Sequence, residues 1–283
     1  MIITIPLHKD SDFGNHKELK YFLRSIDRYL HCDYDVKLYY NTWPDWLNPQ
    51  SVKHKQVDRF YPGKALKYWG VDKHGKSKPQ YENYFDTLNK LWLMSMDDDV
   101  SCYFLYCYDD QLLVKDIYTH EELNQWVAMK NYWENKATYD RRGNKWSRTV
   151  MKAFDLLRER GRPLYDYETH LPRFYNKIKL QEMFLKYPVK DQIIPYAPAT
   201  LYGNLYYNEP KYVLQYKNNI KAGFYGQGKN VKKVGSFYAK ETKDIDRVCN
   251  GKMWINYNDK GARTTPLEKW MEYKFPGKSK FEL

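Results

Sequence analysis

The stretch Tyr103 to Lys115, YFLYCYDDQLLVK, constrains the fold of this chain more than any other. Aromatic and β-forming side chains from Tyr103 to Tyr108 run into two adjacent carboxylates, Asp109 and Asp110, and a second apolar run, Leu112 to Val114, follows at once. A short apolar run of that length reads as a buried strand. Carboxylates at the exit of such a strand are costly to bury unless a divalent metal, a basic partner or open water compensates them. In an open α/β sheet, ligands bind at the carboxyl ends of the strands. Two readings of the pair stay open on this local pattern. Either a hard cation is held by one or both aspartates, with a ligand's phosphate oxygens completing its shell, or the aspartates form the polar turn of a hairpin.

Strand and helix patterns alternate around that stretch. Ile2 to Leu7 reads as a first strand and Val36 to Tyr40 as a second. Between them Asn15 and Glu18 make a cap-like start for a helix carrying Leu19, Phe22, Leu23, Ile26 and Leu30 at helical spacing. A strand, helix, strand unit implies parallel strands and a right-handed crossover. A third short strand is expected near Lys55 to Asp58, within a basic loop region spanning residues 48 to 80, and a helix over Tyr81 to Met96 leads into the Tyr103 strand. Asp97, Asp98 and Asp99 are a rival carboxylate cluster, but they lie between a helix and a strand, where a solvated connection is the expectation. Thr119 and Glu122 form a capping box ahead of a short helix through Leu123, Trp126 and Val127, and Ser147 caps a helix that Gly161 ends. Later elements are helices over Leu180 to Tyr187 and Pro266 to Tyr273, a turn or short helix over Pro198 to Tyr207, and a strand over Trp254 to Tyr257. The expected fold is α/β: a Rossmann-type, mostly parallel sheet flanked by helices, in a single domain with basic loop insertions. Ile2 to Leu7, Val36 to Tyr40 and Tyr103 to Tyr108 are its expected central strands.

A chain of 283 residues can bury a full core. No window approaches the length of a membrane span, and the N-terminus has neither the basic nor the apolar region of a signal peptide, so a cytoplasmic protein is expected. Cys32, Cys102, Cys107 and Cys249 show no paired spacing, which argues against a zinc site or a disulfide scaffold. The formal net charge of +12 comes with 29 tyrosines and nine tryptophans. Cations neutralise phosphates and rings stack on bases, so this composition suits a polyanion, above all nucleic acid. Residues 48 to 80 and 208 to 236 concentrate that character. GFYGQGKN, Gly223 to Asn230, imitates a glycine-rich phosphate loop without a strong strand before it.

One further segment, RPLYDYETHLPRFYNK, carries His170 beside Pro172, with Arg173 and Lys177 close behind. A lone histidine is more often structural than chemical. Taken in order, however, several stretches resemble the Stealth-type and related phage glycosyltransferase group. They are HKELKYFLRSIDRYL, PDWL at Pro44 to Leu47, the helix opening near Asn83, the strand ending in YDDQLLV, YETHLPRFYNK, LYGN and FPGKSKFE. The members of that group are nucleotide-sugar-dependent enzymes of the GT-A type, found in capsule biosynthesis and in phage genomes.

The resemblance implies that Asp109 and Asp110 hold a divalent metal, Mn2+ or Mg2+, against the diphosphate of a nucleotide-sugar, a UDP-sugar first among the candidates. It implies that His170, of an H-x-P element, lies near the metal and the donor, either as a third metal ligand or as the base. Asn83 and Arg24 match positions around the nucleotide, and Arg173 and Lys177 could add positive charge there if the fold turns them inward. Residues 1–118 would then be the nucleotide-sugar-binding half and residues 119–283 the acceptor-binding half. Two departures stand out: Tyr108 precedes the acidic pair where Asn is usual, and the opening segment of sugar-phosphate transferases is missing. The second departure weakens sugar-phosphate chemistry more than it weakens the nucleotide-sugar site.

The expected reaction is sugar transfer to a hydroxyl acceptor. DNA carrying a hydroxymethylated base is favoured as the acceptor because the chain is basic and aromatic-rich and because relatives occur in phages. A capsule or surface-glycan acceptor is the alternative. A non-catalytic nucleic-acid-binding protein is the reading from another class.

Overall fold

The computed structural model describes residues 1–8, 15–65, 68–71, 77–79, 81–124, 126, 128, 130–131, 145–157, 164–207, 221–227, 230–233, 238–239, 242–257 and 265–283. At its centre β1 (Ile2–Leu7) pairs in parallel with β2 (Asp35–Tyr40) on one side, Ile3 opposite Val36 and Leu7 opposite Tyr40. On its other side it pairs in parallel with β6 (Tyr103–Tyr106). The outer positions belong to β3 (Lys53–Gln56), parallel to β2, and β10 (Arg173–Asn176), antiparallel to β6, so the order is β10-β6-β1-β2-β3. Four of the five strands are parallel, and the three expected to be central all lie in the interior of the sheet.

The pleat sends alternate side chains to opposite faces. Ile3, Ile5, Leu7, Val36 and Leu38 pack with Leu19, Phe22, Leu23 and Ile26 of α1 (Lys17–Tyr29). Tyr39, Phe104 and Tyr106 face the other way, into a core with Phe85, Leu88, Leu91 and Met94 of α2 (Glu82–Met96). That second core also takes Val150 and Phe154 of α3 (Lys145–Asp155), Leu180 and Met183 of α4 (Lys177–Lys186), and Leu201 and Tyr202 of α5 (Pro198–Tyr206). Helices on both faces are what a buried parallel sheet requires.

A second five-stranded sheet holds β7 (Gln111–Leu113), β11 (Lys221–Gln227), β12 (Asn230–Lys233), β13 (Tyr238–Ala239) and β14 (Trp254–Tyr257), in the order β13-β12-β11-β14-β7. The helices α6 (Thr242–Cys249) and α7 (Thr265–Lys274) belong to its layer, with Ile245, Leu267 and Trp270 in one core with Ile255. Two short ribbons, β4 (Tyr68–Val71) with β5 (Ser77–Pro79) and β8 (Lys130–Asn131) with β9 (Tyr165–Asp166), complete the strands among the described residues. Because β6 and β7 lie in different sheets, the aspartate turn between them is not a hairpin; it is the junction of the two sheets.

Several boundaries differ from the sequence expectation. The third strand starts two residues early, at Lys53. The first helix is not capped by Asn15: His16 takes the cap position in the left-handed region, φ 52°, and Asn15 Oδ1 accepts from Asp45 N–H instead. The Thr119–Glu122 capping box is present, but it opens only a single 3-10 turn, His120–Leu123, and Val127 lies outside the described residues. Helix α3 begins before Ser147 and ends at Asp155; Gly161 lies outside the described residues. In GFYGQGKN, Gln227 of β11 pairs with Asn230 of antiparallel β12, so these residues join two strands rather than a strand and a helix.

Candidate active site

The carboxyl edge of the parallel sheet opens onto a pocket of about 260 Å³. It is lined by His8, which follows β1, by Asn83, Tyr84, Thr87 and Leu88 from the first turns of α2, and by Tyr108, Asp109 and Asp110. The far wall is Thr149, Glu168, His170, Tyr196, Ala197 and Pro198. Asp109, Asp110, His170 and Asn83 are thus brought together from segments up to 87 residues apart in sequence.

The two walls are stapled by one side chain. Gln111 is fully buried; its Oε1 accepts from Tyr108 N–H at 3.0 Å and its Nε2 donates to the His170 carbonyl at 2.7 Å. His170 sits at φ 51°, a left-handed conformation uncommon for a non-glycine residue. The Asp110 carbonyl accepts from Tyr257 N–H at 3.1 Å, which ties the same turn to β14. Three parts of the chain therefore converge on the aspartates.

Beneath the pocket lies a buried polar network. Lys90 Nζ donates to the Leu7 carbonyl (2.6 Å), Asn41 Oδ1 (2.7 Å) and Asp86 Oδ2 (2.5 Å), which uses all three of its donors. The His8 ring bonds Asp86 Oδ2 through Nδ1 (3.0 Å) and Thr87 Oγ1 through Nε2 (2.9 Å). Burial holds the His8 imidazole below its usual range, outweighing the hydrogen bond it donates to Asp86. Asn83 Oδ1 accepts from Arg59 Nη2 at 2.8 Å, so its amide N–H groups are what Asn83 offers to the pocket.

Glu168 was not picked out from sequence, although it stands two residues before His170. Its Oε1 accepts from Ala199 N–H (2.9 Å) and Thr200 N–H (3.4 Å), capping the amino end of α5. Burial raises its carboxyl pKa, with the nearby Arg173 charge opposing the shift. The LYGN stretch fixes this wall. Gly203 lies so close to the Tyr167 ring that a Cβ there would stand 2.4 Å from it, and Asn204 bonds the backbone of Tyr165 through both its amide atoms.

Three residues expected around the nucleotide are elsewhere. Arg24 lies on α1 and pairs with Glu282 through Nε and Nη2, both at 2.7 Å, and it also donates to the Phe275 carbonyl. The pieces HKELKYFLRSIDRYL, PDWL and FPGKSKFE meet there, since Leu283 N–H donates to Trp46 and Asn48 N–H to Phe281; together they clamp the C-terminus. Arg173 is buried under the Trp126 ring and donates to the Leu171 carbonyl and Thr169 Oγ1. Lys177 donates to the carbonyls of Asp97 and Val100 at the amino edge of the sheet. The four residues of β6 alone put about 13 Å between that edge and the aspartates.

No family model matches the chain, and no curated protein does. Among solved structures it is similar to the galactosyltransferase LgtC in complex with donor and acceptor sugar analogs, at 11% identity over 97% of this chain and 95% of that one, TM-score 0.49. It is also similar to an active-site mutant of LgtC, at 11% identity over 91% of this chain and 87% of that one, TM-score 0.44. Both overlaps are too faint to carry LgtC's activity to this chain.

The pocket's donor set bears on a metal. Asp109 and Asp110 supply hard oxygen atoms of the kind Mg2+ and Mn2+ take. Among the described residues no three His, Cys, Asp or Glu side chains come close enough to hold a metal between them. His170 therefore lines the same pocket without completing a three-ligand set. The aspartates fit a cation that shares its shell with a bound ligand's oxygens. No helix among the described residues is long and apolar enough to cross a membrane.

Proposed function

We propose that the chain is a GT-A-type glycosyltransferase that moves a sugar from a nucleotide-sugar, a UDP-sugar by preference, to a hydroxyl acceptor with the help of a divalent cation. The observation that carries this reading is the aspartate pair at the junction of the two sheets, facing His170 and Glu168 across a pocket at the carboxyl edge of a parallel sheet. Asp109 and Asp110 would hold Mn2+ or Mg2+, and when bound the cation neutralises charge on the departing diphosphate. Asn83 donates from its amide toward a donor oxygen. Gln111 keeps the aspartate turn and His170 at a fixed separation, so that donor and acceptor meet without rearrangement of the walls.

The division of the pocket follows the chain: His8, Asn83, Asp109 and Asp110 come from residues 1–118, on the donor side, and Thr149, Glu168, His170 and Tyr196 from residues 119–283, on the acceptor side. The net charge of +12 supports a polyanionic acceptor, and DNA carrying a hydroxymethylated base is the one proposed. Of the basic segment 208 to 236 expected to meet that polyanion, Lys229 lies outside the described residues, and of Lys232 and Lys233 only the backbone is described.

The test is a scan of nucleotide-sugars with Mn2+ or Mg2+, followed by mass analysis of hydroxymethylated DNA and of oligosaccharides. A mass gain of one sugar that chelator abolishes is the expected result. Full turnover in excess chelator would overturn the metal, and glycosylated oligosaccharide beside untouched DNA would overturn the DNA acceptor.

A further inference from the structure

The pocket carries the opposite charge to the protein around it. Among its described lining residues there are three carboxylates, Asp109, Asp110 and Glu168, and neither a lysine nor an arginine. Three cations behind its walls bond to other groups, and the charge of one of them, Arg173, offsets part of the Glu168 charge. Lys90 has all three donors satisfied, Arg173 is buried and bonded to Leu171 and Thr169, and Arg59 is engaged with Asn83 and Glu82. A helix amino end could serve an anion instead, and the start of α5 forms part of the wall at Ala197 and Pro198. Glu168 already occupies that position, because its Oε1 accepts from Ala199 and Thr200.

Glu168 Oε2 accepts no hydrogen bond from any described residue, and it belongs to a pocket-lining side chain. An oxygen in that setting is complementary to a hydroxyl group and repels an anion. The rest of this wall suits the same kind of ligand: Thr149 is a hydroxyl residue, Tyr84 and Tyr196 are aromatic, and Pro198 is apolar.

From this we infer that the Glu168 side of the pocket is a subsite for a neutral, hydroxyl-bearing ring, with Glu168 accepting a hydrogen bond from its hydroxyl and excluding anionic rings. The inference rests on the proposed glycosyl transfer and narrows its acceptor. Whatever macromolecule carries the acceptor, the part that enters is uncharged and any phosphates stay outside. A sugar ring and a hydroxymethylated pyrimidine share this chemistry.

Binding to the full-length protein loaded with UDP and Mn2+ at pH 8 tests it by ligand-observed NMR. The neutral probes are methyl β-galactoside, for a sugar source, and 5-hydroxymethyl-2′-deoxycytidine, for a nucleobase source. The anionic probes are galacturonate and 5-carboxy-2′-deoxycytidine, each with its charge on the ring that would enter. The expected result is that one neutral probe binds at least tenfold more tightly than its anionic counterpart, and which of the two does so names the source. Glu168→Gln keeps an oxygen to cap α5 but removes the charge, so it should bring the preference below threefold while the protein still binds UDP and Mn2+ and unfolds cooperatively. Equal binding of neutral and anionic probes, no binding of either neutral probe, or an undiminished preference in Glu168→Gln would overturn the subsite. Failure of UDP and Mn2+ to bind the wild-type protein would instead overturn the glycosyltransferase reading itself.

Discussion

Asp97 to Asp99 stand before β6 and Asp109 to Asp110 stand after it, so one strand carries an acidic cluster at each end. At the amino edge every strong contact compensates charge. Lys37 donates to Asp97 at 2.9 Å and to Asp99 at 3.0 Å, the Tyr39 hydroxyl donates to Asp97 at 2.8 Å, and Lys55 approaches it at 3.5 Å. These hydrogen bonds outweigh the cost of burial and hold the Asp97 carboxyl down at about 2. At the carboxyl edge no described lysine or arginine lines the pocket, and Lys90 below it is saturated by other acceptors. Identical side chains thus serve stability at one end of a strand and line a pocket at the other. The difference is made by β2 and β3, which bring Lys37 and Lys55 to one edge only.

The sharpest way to break that comparison is to neutralise each cluster in turn. Asp110→Asn should lower sugar transfer by at least about 10²-fold, the scale of losing one charge-stabilising group at a reaction centre, with the melting temperature retained. Asp97→Asn should do the reverse, keeping transfer within twofold while costing roughly 3 kcal/mol in urea unfolding, since it leaves the buried Lys37 only the exposed Asp99 as a carboxylate partner. Equal effects of the two substitutions on transfer would erase the distinction.

Arg24→Ala should also cost about 3 kcal/mol, because Glu282 would lose its bidentate partner in a buried pair. Nucleotide-sugar affinity should not change, which would confirm by titration that Arg24 holds the C-terminal clamp. Gly203→Ala forces the Tyr167 ring aside and should cost about 1–3 kcal/mol, accompanied by a lower transfer rate because the Glu168 wall shifts with it.

A smaller effect should appear on acidification. Asp97 and Glu282 both have folded-state values lowered to about 2, from ordinary values of 3.8 and 4.5, as their partners' hydrogen bonds overcome burial. Their contribution is therefore complete above the ordinary values and lost as pH falls toward about 2. The wild-type protein should lose stability through that window, and Asp97→Asn should show a shallower loss. The weakest effect of all is expected from Lys177→Ala: transfer within twofold of wild type, because Lys177 lies at the compensated edge.

How much of this was legible in the sequence depended on the range of the signal. The strands at Ile2, Asp35 and Tyr103 show as short β-rich runs, and the helices α1 and α2 show as apolar spacing, because both patterns follow from local side-chain geometry. The aspartate pair was legible because a charge at the end of an apolar run is anomalous wherever it occurs. Glu168 had no such signal: it sits in a polar segment, and only its hydrogen bonds to Ala199 and Thr200, some thirty residues on, distinguish it. Arg24, Arg173 and Lys177 were attractive as cations, but a cation's role is set by the acceptor it meets, and those acceptors lie 258, 4 and 80 residues away in sequence.

By itself the sequence determined the alternation of elements, the α/β class and the position of Asp109 and Asp110 at a strand exit, since each depends on a periodicity or an abrupt change along the chain. Only the tertiary structure decided that β6 and β7 part into different sheets, that Gln111 bridges the aspartate turn to His170, and that Lys37 and Lys55 reach the Asp97 cluster while Asp109 and Asp110 line a pocket. Those facts depend on which distant side chains share a few ångströms, and electrostatic compensation and hydrogen bonding act only at that range.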